Sequence, residues 1–213
     1  MQIIMNTGGI AATNGFLIAD EVAKQAVLFD APDHTVAPLL DQVAKRGWDL
    51  IGLCLTHGHF DHVADHAAVT ERFPKAKVLI HELDVSKLAN PNASTFTLPF
   101  KIPPRQPDAL LSDGQKLSIG MLELTVIHTP GHSPGHVTFH LPSEQILVGG
   151  DLIIGGSIGR ADFADSDYGA MEDSIRRIMK LPAETKLLPG HGDLSTLGQE
   201  RETNPFVREI LHE

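Results

Sequence analysis

The chain has 213 residues, 42% of them hydrophobic, and a formal net charge of −10 with histidine neutral. That length and apolar content suit one soluble globular domain spanning 1–213 with a full core. The acidic balance argues against a nucleic-acid partner, which needs basic patches, and no run of about 18 apolar residues is available to cross a membrane. The start, Met1-Gln2-Ile3-Ile4-Met5-Asn6, lacks the basic and long apolar parts of a secretory signal. The single cysteine, Cys54, has no internal disulfide partner, so a reducing, cytoplasmic location is expected.

In chain order, Gln2–Met5, Gly15–Ala19 and Gln25–Asp30 read as strands. Thr7-Gly8-Gly9 and Thr13-Asn14-Gly15 read as turns between them. Val36, Leu39, Leu40, Val43 and Ala44 share one helical face, and Gly47 stops that helix. Leu50–Leu55 is an apolar run of buried-strand type. A helix over about Ala64–Phe73 follows and ends at Pro74; Lys77–His81 is the next strand. Residues 82–118 carry Asn90, Pro91, Pro99, Pro103, Pro104 and Pro107 and little periodicity. They read as a loop-rich segment flanking the site, either a surface excursion or a flap. Strands are then expected at Met121–His128, His136–Leu141, Gln145–Gly149 and Thr185–Leu188. Helices are expected over about Tyr168–Lys180 and from Thr196 onward. Two such runs of strands with helices outside imply an α+β protein, a four-layer αβ/βα sandwich.

Twelve histidines stand against one tyrosine and one tryptophan, and their placement is not that of packing residues. His57-Gly58-His59-Phe60-Asp61-His62 puts three imidazoles and a carboxylate into six positions directly after an apolar strand. Imidazole and carboxylate are ligands for divalent transition metals, and the end of a strand is where α/β layers present ligands. Three later candidates sit in similar places. His132 lies in Thr129-Pro130-Gly131-His132, Asp151 in Gly149-Gly150-Asp151, and His191 in Pro189-Gly190-His191-Gly192. Glycine lets backbone approach an ion, and proline stiffens the turn. Asp30 is a candidate brace for the ligand loops or a plain turn residue. His128 and His136 read as buried scaffolding, as does His81.

His57-x-His59-x-Asp61-His62 followed by His132, Asp151 and His191 resembles the metallo-β-lactamase superfamily over nearly the whole chain. Gly159-Arg160-Ala161-Asp162-Phe163 is similar to its glyoxalase II-like and persulfide dioxygenase branches. Ser195–Arg201 with Asn204-Pro205-Phe206 is most similar to short, single-domain glyoxalase II-like proteins. The resemblance implies two mixed sheets flanked by helices and a centre of two divalent ions, zinc first, with iron or manganese as alternatives. His57, His59 and His132 would hold one ion and Asp61, His62 and His191 the other, with Asp151 between them. Asp61 would also act as the proton acceptor for the attacking water.

The function implied is a metal-dependent hydrolase of S-acyl glutathione or related thioesters, a small-molecule substrate. Arg160 is placed to contact a substrate carboxylate, or to form an ion pair with Asp162 or Asp165. Only 22 residues follow His191, so the C-terminal helical domain with which type II glyoxalases grip glutathione is absent from this chain. Two alternatives remain from the resemblance: a persulfide dioxygenase-like enzyme with one iron on His59, His132 and Asp151, and a lactonase or esterase using the same centre.

Overall fold

The computed structural model describes residues 1–93 and 97–212, and these form two compact units. Residues 94–96, within the expected loop-rich segment, lie outside the described residues.

The first unit comprises Met1–Leu111 and Ser118–Leu122. Its strands are β1 (Gln2–Gly8), β2 (Thr13–Asp20), β3 (Gln25–Phe29), β4 (Asp49–Cys54), β5 (Lys77–His81) and β6 (Ala109–Leu111), which lie in that order in one sheet. The first three pair antiparallel and the rest parallel, so the sheet is mixed. All eight residues of β2 are buried, as befits a strand covered on both faces. Helix α1 (Val36–Arg46) buries Val36, Leu39, Leu40 and Val43 and ends on Gly47, whose φ of 64° makes a left-handed cap. With the β-sheet residues Leu28, Leu50, Leu53 and Ile80 they form the unit's core.

The region after β4 differs from its expectation as one helix. It holds two short helices, α2 (Phe60–Val63) and α3 (His66–Arg72), the first starting within the histidine motif. The 82–118 segment is also more structured than its prolines suggest. A 3₁₀ turn at Glu82–Asp84, helix α4 (Val85–Ala89), a 3₁₀ turn at Pro91–Ala93 and strand β6 all fall within it. Thr13-Asn14-Gly15 is strand, not turn: β2 begins at Thr13, and the reversal lies between β1 and β2.

The second unit comprises Ser112–Leu117 and Glu123–Glu213. Its main sheet contains β7 (Lys116–Ile119), β8 (Leu122–His128), β9 (Val137–Leu141), β10 (Ile146–Gly150), β13 (Lys186–Pro189) and β14 (Ser195–Thr196), in the order β14-β13-β10-β9-β8-β7. Strands β11 (Ile153–Ile154) and β12 (Ser157–Ile158) form a separate small hairpin. β10 pairs antiparallel with β9 and parallel with β13, so this sheet is mixed too. Helix α5 (Tyr168–Ile178) starts at Asp167, whose carboxylate accepts from the Ala170 amide at 3.0 Å. The expected terminal helix is two, α6 (Leu197–Thr203) and α7 (Pro205–His212). Asn204 makes the break: its Oδ1 accepts from the amides of Phe206 and Val207, and Pro205 occupies the first helical position. Met171, Ile175, Ile178, Val207 and Ile210 pack together with Leu147 and Leu187 of the sheet.

No helix among the described residues is long and apolar enough to cross a membrane.

Candidate metal centre

In the first unit, β4 ends at Cys54 and the chain turns at once into His57–His62. The rings of His57 and His59 stand 4.6 Å apart edge to face, and those of His57 and His62 stand 4.1 Å apart. His62 Nε2 lies 3.5 Å from Asp61 Oδ2. His57, Asp61 and His62 are buried and His59 is half-buried. Four candidate ligands therefore converge within one turn of chain.

The hydrogen bonds behind this cluster settle which nitrogen His57 and His62 present. Thr56 donates its hydroxyl proton to Asp30 Oδ2 at 2.8 Å. With that proton spent, its oxygen only accepts, so His57 Nδ1, 3.0 Å away, carries a hydrogen. Asp30 Oδ2 also lies 2.8 Å from His62 Nδ1, and a carboxylate accepts only. In both neutral rings the lone pair is left on Nε2, the arrangement a metal ligand needs. Asp30 takes a third bond, from the Thr56 amide at 2.7 Å, and does so from a left-handed backbone with φ of 58°. Such a backbone is uncommon for a non-glycine residue and marks a position that its surroundings hold in place. Asp30 thus braces the ligand loop.

Two further braces were not anticipated from the sequence. Thr13, at the start of β2, donates its hydroxyl to Asp61 Oδ2 at 2.8 Å. Asp84, fully buried, accepts the Gly58 amide at 2.8 Å. Lys87 packs so close to Gly58 that a Cβ there would meet the Lys87 Cβ at 2.6 Å. No local pattern announces either residue; both acquire their role only through contacts distant in sequence. His81 caps the 3₁₀ turn, accepting the Leu83 amide on Nδ1 at 3.3 Å, as scaffolding would.

The second unit assembles the remaining candidates. His132 follows β8, Asp151 directly follows β10, and His191 follows β13. Asp151 Oδ2 lies 3.4 Å from His132 Nε2 and 3.3 Å from His191 Nε2, so one carboxylate oxygen stands beside two imidazoles. His132 Nδ1 is 2.7 Å from the carbonyl oxygen of Arg160. A carbonyl only accepts, so this ring too carries its hydrogen on Nδ1 and its lone pair on Nε2. The Arg160 side chain points elsewhere. It is exposed, bonds both oxygens of Asp162 at 2.8 and 3.0 Å, and lies over the Phe163 ring at 4.6 Å. That pairing holds the Asp162 carboxyl below its usual range. His128 bonds the Pro134 carbonyl at 2.9 Å, as scaffolding would.

Imidazoles whose hydrogens are held on Nδ1, as in His57, His62 and His132, and Nε2 atoms within 3.5 Å of a carboxylate, as in His62, His132 and His191, fit divalent-metal ligation. The model of the metallo-β-lactamase superfamily matches residues 8–191. The chain belongs to the metallo-β-lactamase superfamily. Its members use divalent metals, and the fold of two mixed sheets with flanking helices is the superfamily's. Within it, the chain is 32% identical over 206 residues to the hydroxyacylglutathione hydrolase GloC of Haemophilus influenzae, covering 91% of this chain and 92% of that protein. Among solved structures, it is 32% identical to the BLEG-1 B3 metallo-β-lactamase, with a TM-score of 0.88 and coverage of 97% and 99%. It is 35% identical to TTHA1623, solved in a di-iron-bound form, with a TM-score of 0.85 and coverage of 97% and 100%. This metallo-β-lactamase superfamily chain is therefore a metallo-hydrolase in type.

Proposed function

We propose that His57, His59, Asp61, His62, His132, Asp151 and His191 hold two divalent ions, and that the protein hydrolyses thioesters of the S-acyl glutathione class. His57, His59 and His132 would hold one ion, Asp61, His62 and His191 the other, and Asp151 would bridge. The observation that carries this reading is the Asp151 oxygen standing beside both His132 and His191. A carboxylate so placed is within reach of an ion at either imidazole, which supports a bridging role. The donor chemistry suits zinc, and the di-iron form of the relative TTHA1623 makes iron the other candidate.

When bound, the ions would make water acidic enough to lose a proton near neutral pH and would polarise an acyl carbonyl. The protein's own residues do the rest. Asp61, held by the Thr13 hydroxyl, orients the attacking water and takes its proton. A thiolate leaving group needs little protonation, because thiols ionise near pH 8.5, so no dedicated acid is required. Arg160 offers a guanidinium to a carboxylate of the thiol carrier. Its present partner Asp162 is exposed as well, and exposed ion pairs exchange readily in water. The hydroxyacylglutathione hydrolase relative supports the thioester class.

The B3 metallo-β-lactamase likeness favours a second reading, hydrolysis of a cyclic amide by the same centre. The test counts metal per chain and compares three activities: S-lactoylglutathione hydrolysis, nitrocefin hydrolysis and oxygen uptake with glutathione persulfide. Two ions and thioester hydrolysis are expected. Faster nitrocefin turnover would favour the amide reading, and one iron with oxygen uptake and no hydrolysis would overturn both.

A further inference from the structure

We infer that His136 is a positioning residue for the metal centre, fixing the backbone of Asp151 through an unprotonated Nε2. This rests on Asp151 being a ligand, as proposed above. The Asp151 amide can only donate, and it points at His136 Nε2 from 3.0 Å. That nitrogen is therefore the acceptor, and the ring's hydrogen sits on Nδ1, 2.9 Å from the Thr129 hydroxyl. The tautomer is the same as that of His132, four residues earlier, whose Nδ1 donates and whose Nε2 faces the Asp151 carboxylate; in His136, by contrast, the Nε2 lone pair is taken by the Asp151 amide. His136 is thus unsuited to hold an ion while it performs this task.

The bond falls where the sheet leaves a gap. The pairing of β10 with β13 shifts register between Val148 and Gly150, and Gly150 turns left-handed at φ of 50°. Asp151 follows directly, at the point where the regular ladder has lapsed. The imidazole supplies the acceptor there. The other end of the same ring is anchored on the segment that carries His132. Thr129 donates its amide to the His136 carbonyl at 2.9 Å and meets the ring through its hydroxyl, closing the segment 129–136 on itself. Both residues are fully buried, and the His136 ring stands edge to face with His132 at 6.2 Å. One imidazole thereby sets the backbone of the proposed bridging carboxylate and the loop of its neighbouring ligand.

The test uses cobalt(II) loaded into the full-length protein. Ions bound per chain, affinity by chelator competition and the visible d–d spectrum are compared for the parent, His136→Leu and His136→Gln. The melting curves of the metal-free forms report folding separately. Leucine fills the space without an acceptor, whereas the Gln Oε1 can reach the place of Nε2. Removing a group that orients a metal ligand costs about 10–100-fold in affinity. His136→Leu should therefore bind cobalt at least about tenfold more weakly, with an altered spectrum, and His136→Gln should recover most of the loss. Parent-like affinity and spectrum in folded His136→Leu would overturn the inference, as would equal loss in a folded His136→Gln. If His136→Leu does not fold, Thr129→Val decides: a weakened cobalt affinity supports the anchor and an unchanged one overturns it. A parent protein that fails to bind two ions would count against the dinuclear reading itself, a result distinct from any of these.

Discussion

Asp30 Oδ2 lies 2.8 Å from His62 Nδ1, and the same oxygen accepts the Thr56 hydroxyl at 2.8 Å. One buried carboxylate therefore orients two imidazoles, His62 directly and His57 through Thr56. Its negative charge also makes the His62 ring a better donor to a cation. Asp30→Asn keeps the shape but loses the charge and one acceptor. We expect zinc affinity to fall about 10–100-fold, measured by competition with a chromophoric chelator. Unchanged affinity would mean that the contact does not tune the site.

Thr13 gives a sharper probe of catalysis because it touches Asp61 and no proposed ion. Hydrogen bonds to charged groups contribute about 1.5–3 kcal/mol, equivalent to roughly 10–100-fold in rate. Thr13→Val should lower kcat for S-lactoylglutathione by about tenfold or more, with two ions still bound. Thr13→Ser, which keeps the hydroxyl, should stay close to the parent. Equal rates for Val and Ser would remove Asp61 orientation from the account.

Much of the site is legible in the sequence, for a physical reason. Three histidines and an aspartate in His57–His62 serve no packing need, and His132, Asp151 and His191 each sit in a Gly-bearing turn past a strand. The braces are illegible for an equally physical reason. Thr13 lies 48 residues from Asp61, and Asp84 lies 26 from Gly58; only folding brings them together. In the fold, long periodic elements such as α1 and β8 read clearly. The 82–118 segment does not, because its elements are three to five residues long and carry too few side chains to show a period.

Gly131 precedes the proposed ligand His132 with φ of 140°, and a Cβ there would lie 2.4 Å from the Met171 Cα. Gly131→Ala meets both backbone strain and helix α5. A loss of about 2 kcal/mol or more is expected, which for a chain of this size lowers Tm by roughly 4–8 °C. Calorimetry on the metal-free protein would check it without interference from metal release.

Cys54 is buried at the end of β4. Burial, and then the charge of Asp30, push its thiol up to about 12. A raised value means almost no thiolate at pH 8, so the native protein should not react with Ellman's reagent at that pH. One thiol per chain should appear when guanidinium is added. Rapid native labelling would contradict the burial.

Arg160 separates substrate recognition from metal binding. Its carbonyl holds His132, which any side chain at that position preserves, while its guanidinium is exposed. Arg160→Ala is expected to raise KM for S-lactoylglutathione by several-fold and leave the metal count and kcat near the parent values. A changed metal count would show that the side chain supports the ligand loop instead.

The first unit takes back Ser118–Leu122 after the chain has left it. Gly120 donates its amide to Gln25 and Met121 donates to Asp20, residues 95 and 101 positions earlier. Asp20 already receives the amides of Val22 and Ala23, so this later amide completes its set. On the ribosome, the amino-terminal unit must therefore wait for residue 122 to emerge before its second hairpin is sealed. A nascent chain arrested after Leu111 would present Asp20 and Gln25 without their late partners. The order of synthesis and the order of closure are thus different in this protein.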